Sequence, residues 1–406
     1  MRKCLRFLTR LLVCLLAATS LCSCTDILEY FVTDLSHDKD IIAAEAVPKI
    51  AFGNEELSEN SGEVVMTVDE VMAAELVSAE ICGNYHLNQL DEAGRTVCRA
   101  YLYAIEKGYK YIYVDELIET KTDDLEKAFI YLSLDSPFLE QNYNYEVGTF
   151  TTSYDIGKGK KAPLEGVYLC ALNFTAEHWS KKTEALNKAR DIVAKMPQNK
   201  SEADRAEYLY NYILKNVTYL DYEDADVAAE HFLYDGLIKG KTHCDGTANM
   251  YSLLLNLAGV ENFERSYDGS DDKVGHTWNA VKLDGVWYNT DATALRDRED
   301  FDFRIKRTFA IEERLLSYPS TVDAVYPSFD KNLRFSLIEA DSISVKELSR
   351  EMCDRIRKDG YAAALIKNYN EKKMEDVAQK VANSLSRTVN WYESDVLNGA
   401  KMVNIK

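Results

Sequence analysis

The sequence predicts an α+β protein, and three observations carry that expectation. At 406 residues the chain has room for two or three domains of about 150 residues each. Its composition, 46% hydrophobic and 28% charged with 6 prolines and 18 glycines, is that of a folded body and excludes a collagen-like or Pro/Gly-rich disordered chain. Helical and strand periodicities then sit side by side: Ala248, Tyr251, Leu254, Leu255 and Ala258 recur on one helical face, and Asp284-Gly285 separates two β-rich runs as a two-residue hairpin turn does. A central α+β domain over 198–330 is expected, flanked by a mixed α and β region over 61–197 and a mostly helical region with some strand over 331–406.

Charge narrows the function. The chain has 67 acidic and 48 basic residues, a formal net charge of -19. Such a surface repels a phosphate backbone, and no basic stripe interleaved with aromatics offsets it, so nucleic acid is excluded as a partner.

The first element is a leader. Arg2, Lys3, Arg6 and Arg10 precede an apolar run over 11–18, the layout of a secretory signal too short to span a bilayer, which needs roughly 20 apolar residues. Leu21-Cys22-Ser23-Cys24 follows and resembles the lipobox of bacterial lipoproteins, in which the final cysteine is lipidated. Cleavage after residue 23 is therefore expected, with Cys24 as the lipid attachment that holds the exported protein on the extracytoplasmic face of a bacterial membrane. Residues 1–23 take away four basic and no acidic residues, so the formal charge moves from -19 to -23. Residues 24–60 are polar and acidic with few periodic features and are expected to form a tether.

The next elements follow in order. Gly94, Val97, Cys98, Tyr101, Leu102 and Ile105 have helical spacing and end at Gly108, which puts Cys98 in a core. Alternating runs over 143–154 and 166–174 read as paired strands around the lysine-rich segment 157–161, and a helix over 178–196 follows. Residues 197–200 break the chain, and Ser201 with Asp204 offers an N-cap for a helix to about residue 215. Beyond residue 330, a strand over 334–338, helices over 345–358 and 372–387 and a last strand-like stretch are expected.

Nine cysteines occur. Four belong to the leader and its lipid site, and Cys82, Cys98, Cys170, Cys244 and Cys353 are scattered and odd in number. Neither a disulfide framework nor a zinc site is indicated, and no metal is expected. His37, His86, His178 and His231 have no partners at ligand spacing.

One of these cysteines stands apart by position. Cys244 opens the helix that carries the apolar stripe and ends at Gly259. The first N–H groups of a helix lack intrahelical partners, and with the helix dipole they favour a thiolate and polarise a nearby carbonyl oxygen. His276 and Asp291 lie on the two strands of the Asp284-Gly285 hairpin. If Leu283 pairs with Val286, Asp291 falls opposite Trp278 and diagonal to His276 on the same face, within reach of the imidazole. A one-residue change of loop would turn Asp291 away.

Cys244-Asp-Gly, His276-Thr-Trp278-Asn279 and Trp287-Tyr288-Asn-Thr-Asp291-Ala-Thr293 are similar, block by block, to the transglutaminase-like superfamily, a papain-like acyl-transfer fold. The resemblance covers about 201–293, roughly a quarter of the chain. It implies a Cys244 nucleophile, a His276 general base and Asp291 as its orienter, with Trp278 and Trp287 packed around the cleft. It further implies attack on peptide or isopeptide amides through a thioester, with hydrolysis slightly favoured over transamidation, and requires no cofactor. The alternative is a catalytically inactive, surface-anchored module that binds protein or glycan. Thr247, where relatives carry an aromatic, and His243 depart from the pattern, and both bear on substrate fit. Neighbouring side chains at a helix start diverge, which argues against His243 as the base.

Overall fold

A computed structural model describes residues 63–107, 109, 111–115, 122–139, 145–157, 160–171, 176–197, 199–220, 232–270, 275–293, 308–333, 336–396 and 400–405. The expected leader 1–23, the lipid site Cys24 and the tether 24–60 lie outside them. The architecture is α+β, with helices packed on antiparallel and mixed sheets.

In the N-terminal region, strand β1 (Glu63–Met66) leads into helix α1 (Val68–Ala73). A capping box between Thr67 and Glu70 starts α1, each residue satisfying the other's exposed amide. Helices α2 (Val77–Glu80) and α3 (Glu92–Lys107), strand β2 (Tyr111–Asp115), helix α4 (Thr122–Asp135) and strands β3 (Tyr145–Gly157) and β4 (Lys160–Ala171) follow. The sheet order is β1-β2-β4-β3, with β1 and β2 parallel and the other pairs antiparallel. The apolar stripe of α3, Val97, Cys98, Tyr101, Leu102 and Ile105, is buried against Leu125 and Leu132 of α4 and Ile112 of β2, each fully buried aliphatic contributing roughly 1.5–3 kcal/mol. The β3–β4 hairpin runs closer to its turn than the lysine-rich segment suggested. Asp155 pairs with Lys161, so the ladder continues into the segment that the lysines mark as a loop.

Helices α5 (Ala176–Ala194) and α6 (Glu202–Asn216) come next. The Ser201 hydroxyl accepts from Asp204 N–H at 3.1 Å, the expected cap of α6. Strand β5 (Thr218–Tyr219) pairs in parallel with β6 (Lys241–Thr242). Before β6, a helical turn over Phe232–Tyr234 passes into a π-helix over Asp235–Lys239 that ends at Gly240. Gly240 has φ 70°, and a Cβ there would sit 3.0 Å from the Asn216 carbonyl oxygen, so the reversal that delivers the chain to Cys244 requires glycine.

Helix α7 (Cys244–Leu257) is buried on all sides, between α5 and α6 and a three-stranded antiparallel sheet of β7 (Asn262–Tyr267), β8 (His276–Leu283) and β9 (Val286–Thr290). Leu283 pairs with Val286. Asp284 and Gly285 have φ 50° and 81°, left-handed at both central positions as the two-residue hairpin demands. Val281 and Leu283 pack with Tyr251 and Leu254 of α7 and Tyr210 of α6 in one core.

The C-terminal region holds β10 (Leu337–Glu339), α8 (Val345–Asp359), β11 (Ala362–Ile366), α9 (Glu371–Leu385), β12 (Trp391–Asp395) and β13 (Lys401–Ile405), in sheet order β10-β11-β13-β12. Strand β11 reads Ala-Ala-Ala-Leu-Ile and all five residues are buried. Ala362, Ala364 and Ile366 pack with α8 and α9, whereas Ala363 and Leu365 turn toward Trp278. A strand covered on both faces shows no polar alternation, so it escaped the sequence pattern, and this region has more sheet than its periodicity conveys.

Candidate active site

One side-chain contact sets the nucleophile helix against the sheet. Asn279 Nδ2 of β8 donates to the Ala248 carbonyl of α7 at 3.0 Å. From that contact helix and strand run back together, bringing Cys244, the first residue of α7, to His276, the first residue of β8. Here the Cys244 sulfur acts on the His276 ring, and its thiol donates to Asp245 Oδ1 at 3.5 Å.

The hairpin register supplies the third member. Asn279 pairs with Thr290, so Asp291 lies just past the end of β9, opposite Trp278. His276 Nε2 is 2.9 Å from Asp291 Oδ2. With Nε2 occupied, Nδ1 is the ring nitrogen left for the sulfur. The other carboxylate oxygen, Oδ1, accepts from Thr293 N–H at 2.9 Å and from Thr293 Oγ1 at 2.6 Å. Asp291 N–H donates to the Thr308 carbonyl at 2.8 Å, and Tyr210 of α6 donates its hydroxyl to the Asp291 carbonyl at 3.2 Å. Backbone and side chain of the acid are thus both held.

Burial and charge compete at this pair. Burial alone would depress the His276 imidazolium, but the Asp291 carboxylate, by charge and by hydrogen bond, and then the Cys244 sulfur outweigh it and hold His276 well above its ordinary value of 6.5. For Asp291, burial alone would raise the carboxyl. His276 outweighs it, aided by the Thr293 hydroxyl and N–H, and the carboxyl lies below its ordinary 3.8. The side chains of His276 and Asp291 keep 12% and 14% exposure, whereas Cys244 keeps 2%.

A second layer positions the rings. Trp278 lies nearly parallel to His276, centroids 6.0 Å apart at 16°, and its Nε1 donates to Asn289 Oδ1 at 3.1 Å. That oxygen also accepts from buried Arg265 Nη1 at 2.7 Å. Arg265 forks onto Glu313 at 2.5 and 3.0 Å and lies over Trp278 at 5.3 Å, a desolvated cation on an aromatic face. Behind Trp278 pack Ile311, Leu315, Leu316, Ala363 and Leu365. The C-terminal sheet therefore supports the site through its tryptophan. None of Arg265, Asn289 and Glu313 stood out in the sequence; the only hint was a charged residue at an inward position of β7, between Phe263 and Tyr267.

Trp287 is a correction. It pairs with Lys282, four residues along β9 from Asp291, which is about 13 Å at the rise of a strand. Its ring packs against Tyr85 and Phe263, so it belongs to the junction with the N-terminal region rather than to the surroundings of His276. His243 is buried and its Nδ1 bonds the Leu220 carbonyl at 2.9 Å. Thr247 returns its hydroxyl to the His243 carbonyl at 2.7 Å, stiffening the first turn of α7. Cys98 is buried and bonds the Ala128 carbonyl at 3.2 Å, and burial pushes its thiol up.

A cysteine at a buried helix start, an imidazole on an adjacent strand and a carboxylate hydrogen-bonded to that imidazole are thus brought together. Residues 188–292, about a quarter of the chain, match the model of the transglutaminase-like superfamily.

No curated protein matches the chain. Among solved structures it is similar to a candidate cysteine protease from Cytophaga hutchinsonii, at 12% identity and a TM-score of 0.23, over 38% of this chain and 65% of that one. It is also similar to a TGase, at 14% identity and a TM-score of 0.26, over 57% and 59%. A candidate protease from Parabacteroides distasonis matches at 8% identity and a TM-score of 0.21, over 73% and 64%. The chain thus spans 59 to 65% of the length of these three structures.

Proposed function

We propose that this chain is a cysteine acyl-transfer enzyme acting on peptide or isopeptide amides, with Cys244 as nucleophile, His276 as base and then acid, and Asp291 as orienter. The observation that carries the reading is the hydrogen-bonded series His276–Asp291–Thr293 whose imidazole is also acted on by Cys244, the first residue of a buried helix. The superfamily match over 188–292 supports it.

In the first half-reaction the Cys244 proton passes to His276 Nδ1 and Sγ attacks the amide carbonyl. The oxygen gains negative charge beside the N-terminal turn of α7, whose N–H groups and dipole favour it. Collapse breaks the C–N bond, His276 returns its proton to the departing amine, and a thioester remains on Sγ. In the second half, His276 takes a proton from water or an amine as that group attacks the thioester. Release of a carboxylic acid or a new amide then restores the thiol. Hydrolysis is slightly favoured, since water is always present.

The protein would work on the extracytoplasmic face of a bacterial membrane, tethered by lipid on Cys24; loss of labelled fatty acid in Cys24→Ala tests that part. A second reading, a binding module without catalysis, draws on the 2% exposure of Cys244, which requires neighbouring groups to move before a carbonyl reaches the sulfur. Incubation of wild type and Cys244→Ala with a peptide library and an added primary amine, read by mass spectrometry, separates the two. Cleaved or aminated peptides from the wild type alone support the enzyme. Identical product lists from both proteins leave the binding module.

A further inference from the structure

Besides Trp278, a second ring lies against the imidazole. Tyr318 lies against His276 with centroids 4.8 Å apart and an angle of 36°. It comes from a strap, residues 316–329, that has no regular secondary structure and that no motif marked.

The strap is fastened along its length. Thr321 N–H donates to the Ser266 carbonyl at 3.0 Å, and Asp268 N–H donates to Thr321 Oγ1 at 3.0 Å. Further on, Val325 N–H donates to Gln89 Oε1 at 2.9 Å, while its carbonyl accepts from Tyr85 at 2.8 Å. The Tyr131 hydroxyl donates to the Asp323 carbonyl at 2.8 Å. The Tyr318 ring packs on Tyr267 at 5.5 Å, the residue paired with His276 across β7 and β8. The strap is therefore held by β7 beside Tyr318 and by the N-terminal region further along.

His276 needs such a neighbour. It is the first residue of its strand, where pairing has only begun, and its bond to Asp291 fixes one ring nitrogen but leaves rotation about that bond. An aromatic face beside it limits the rotation, and it favours the cationic ring over the neutral one because the π system attracts positive charge. The cation is the state reached once Cys244 has given up its proton.

We propose that Tyr318 is a positioning residue for His276, holding the imidazole in line with Cys244 and favouring the sulfur-anion and imidazolium pair. The inference rests on the triad reading above. It makes the strap a physical link between the N-terminal region and the catalytic ring.

The test uses the full chain and iodoacetamide, with alkylation of Cys244 followed by peptide mass spectrometry at pH 6 and pH 9.5. The ratio of the rate at pH 6 to that at pH 9.5 cancels changes in access, which act alike at both pH values. Tyr318→Phe is expected to keep the wild-type ratio within about twofold, and Tyr318→Ala to lower it about threefold or more. Tyr318→Leu, which keeps bulk without a π face, is expected to behave as Ala and replaces it should Ala fail to fold. Parallel rises at both pH values with an unchanged ratio would overturn the proposal and leave Tyr318 a mere cover. A ratio lowered equally by Phe would overturn it too. If the wild-type ratio does not exceed that of His276→Ala, the triad reading itself falls, and that outcome is recognisable without any Tyr318 variant.

Discussion

Replacing Asp291 by Asn isolates the electrostatic half of the site. Asparagine keeps the shape and a hydrogen-bonding side chain, but the charge that outweighs burial at His276 is gone. His276 then becomes a buried neutral ring near neutral pH, and Cys244 loses the cation that stabilises its anion. A hydrogen bond to a charged group contributes about 1.5–3 kcal/mol. Both side chains are less than 15% exposed, so solvent screening is small and this range applies. At about 1.36 kcal/mol per decade, alkylation of Cys244 at pH 6 falls about 10- to 150-fold, and much less at pH 9.5.

Stability follows the same logic. His276 is raised and Asp291 lowered, so the pair's contribution is complete between the ordinary values, 3.8 and 6.5. It is lost as pH climbs through the raised His276 value, and as pH falls through the lowered Asp291 value. The gap between wild-type and Asp291→Asn unfolding midpoints should therefore be widest near pH 5 and narrow on either side. Equal alkylation rates at pH 6, or a gap that grows toward pH 9, would refute the ion-pair reasoning.

Three further outcomes are expected. Thr293→Val removes the hydroxyl that helps lower Asp291, so the acid limb of the Cys244 alkylation profile moves to higher pH; an unmoved limb contradicts it. Asn279→Leu breaks the contact that sets α7 against β8 and costs about 1–3 kcal/mol in denaturant unfolding, with Cys244 reactivity at pH 6 falling as well. Gly240→Ala places a Cβ 3.0 Å from the Asn216 carbonyl at φ 70° and costs about 1–2 kcal/mol; an unchanged denaturation midpoint would show that the reversal tolerates a side chain.

Much of the site was legible because its chemistry is local. The apolar stripe with Gly259 gave α7, and the Asp284-Gly285 turn fixed a register from which the His276 to Asp291 contact follows by counting. What escaped depends on contacts between distant segments. Arg265 and Glu313 are 48 residues apart, and Tyr318 reaches His276 from an irregular strap, so no periodicity relates them. Trp287 was misplaced for a related reason: adjacency in a motif says nothing of how far apart two residues lie along a strand. The Ala-rich β11 was hidden because helices cover one of its faces and the cluster around Trp278 the other.

The most direct measurement traps the acyl group itself. Wild-type protein mixed with p-nitrophenyl acetate, quenched in acid and mapped by peptide mass spectrometry, should carry acetyl on the peptide containing Cys244. The label should be lost in Cys244→Ala and greatly reduced in His276→Ala. Acetyl distributed equally over Cys82, Cys98, Cys244 and Cys353, or unaffected by removal of the imidazole, would contradict a nucleophile activated by His276 and Asp291.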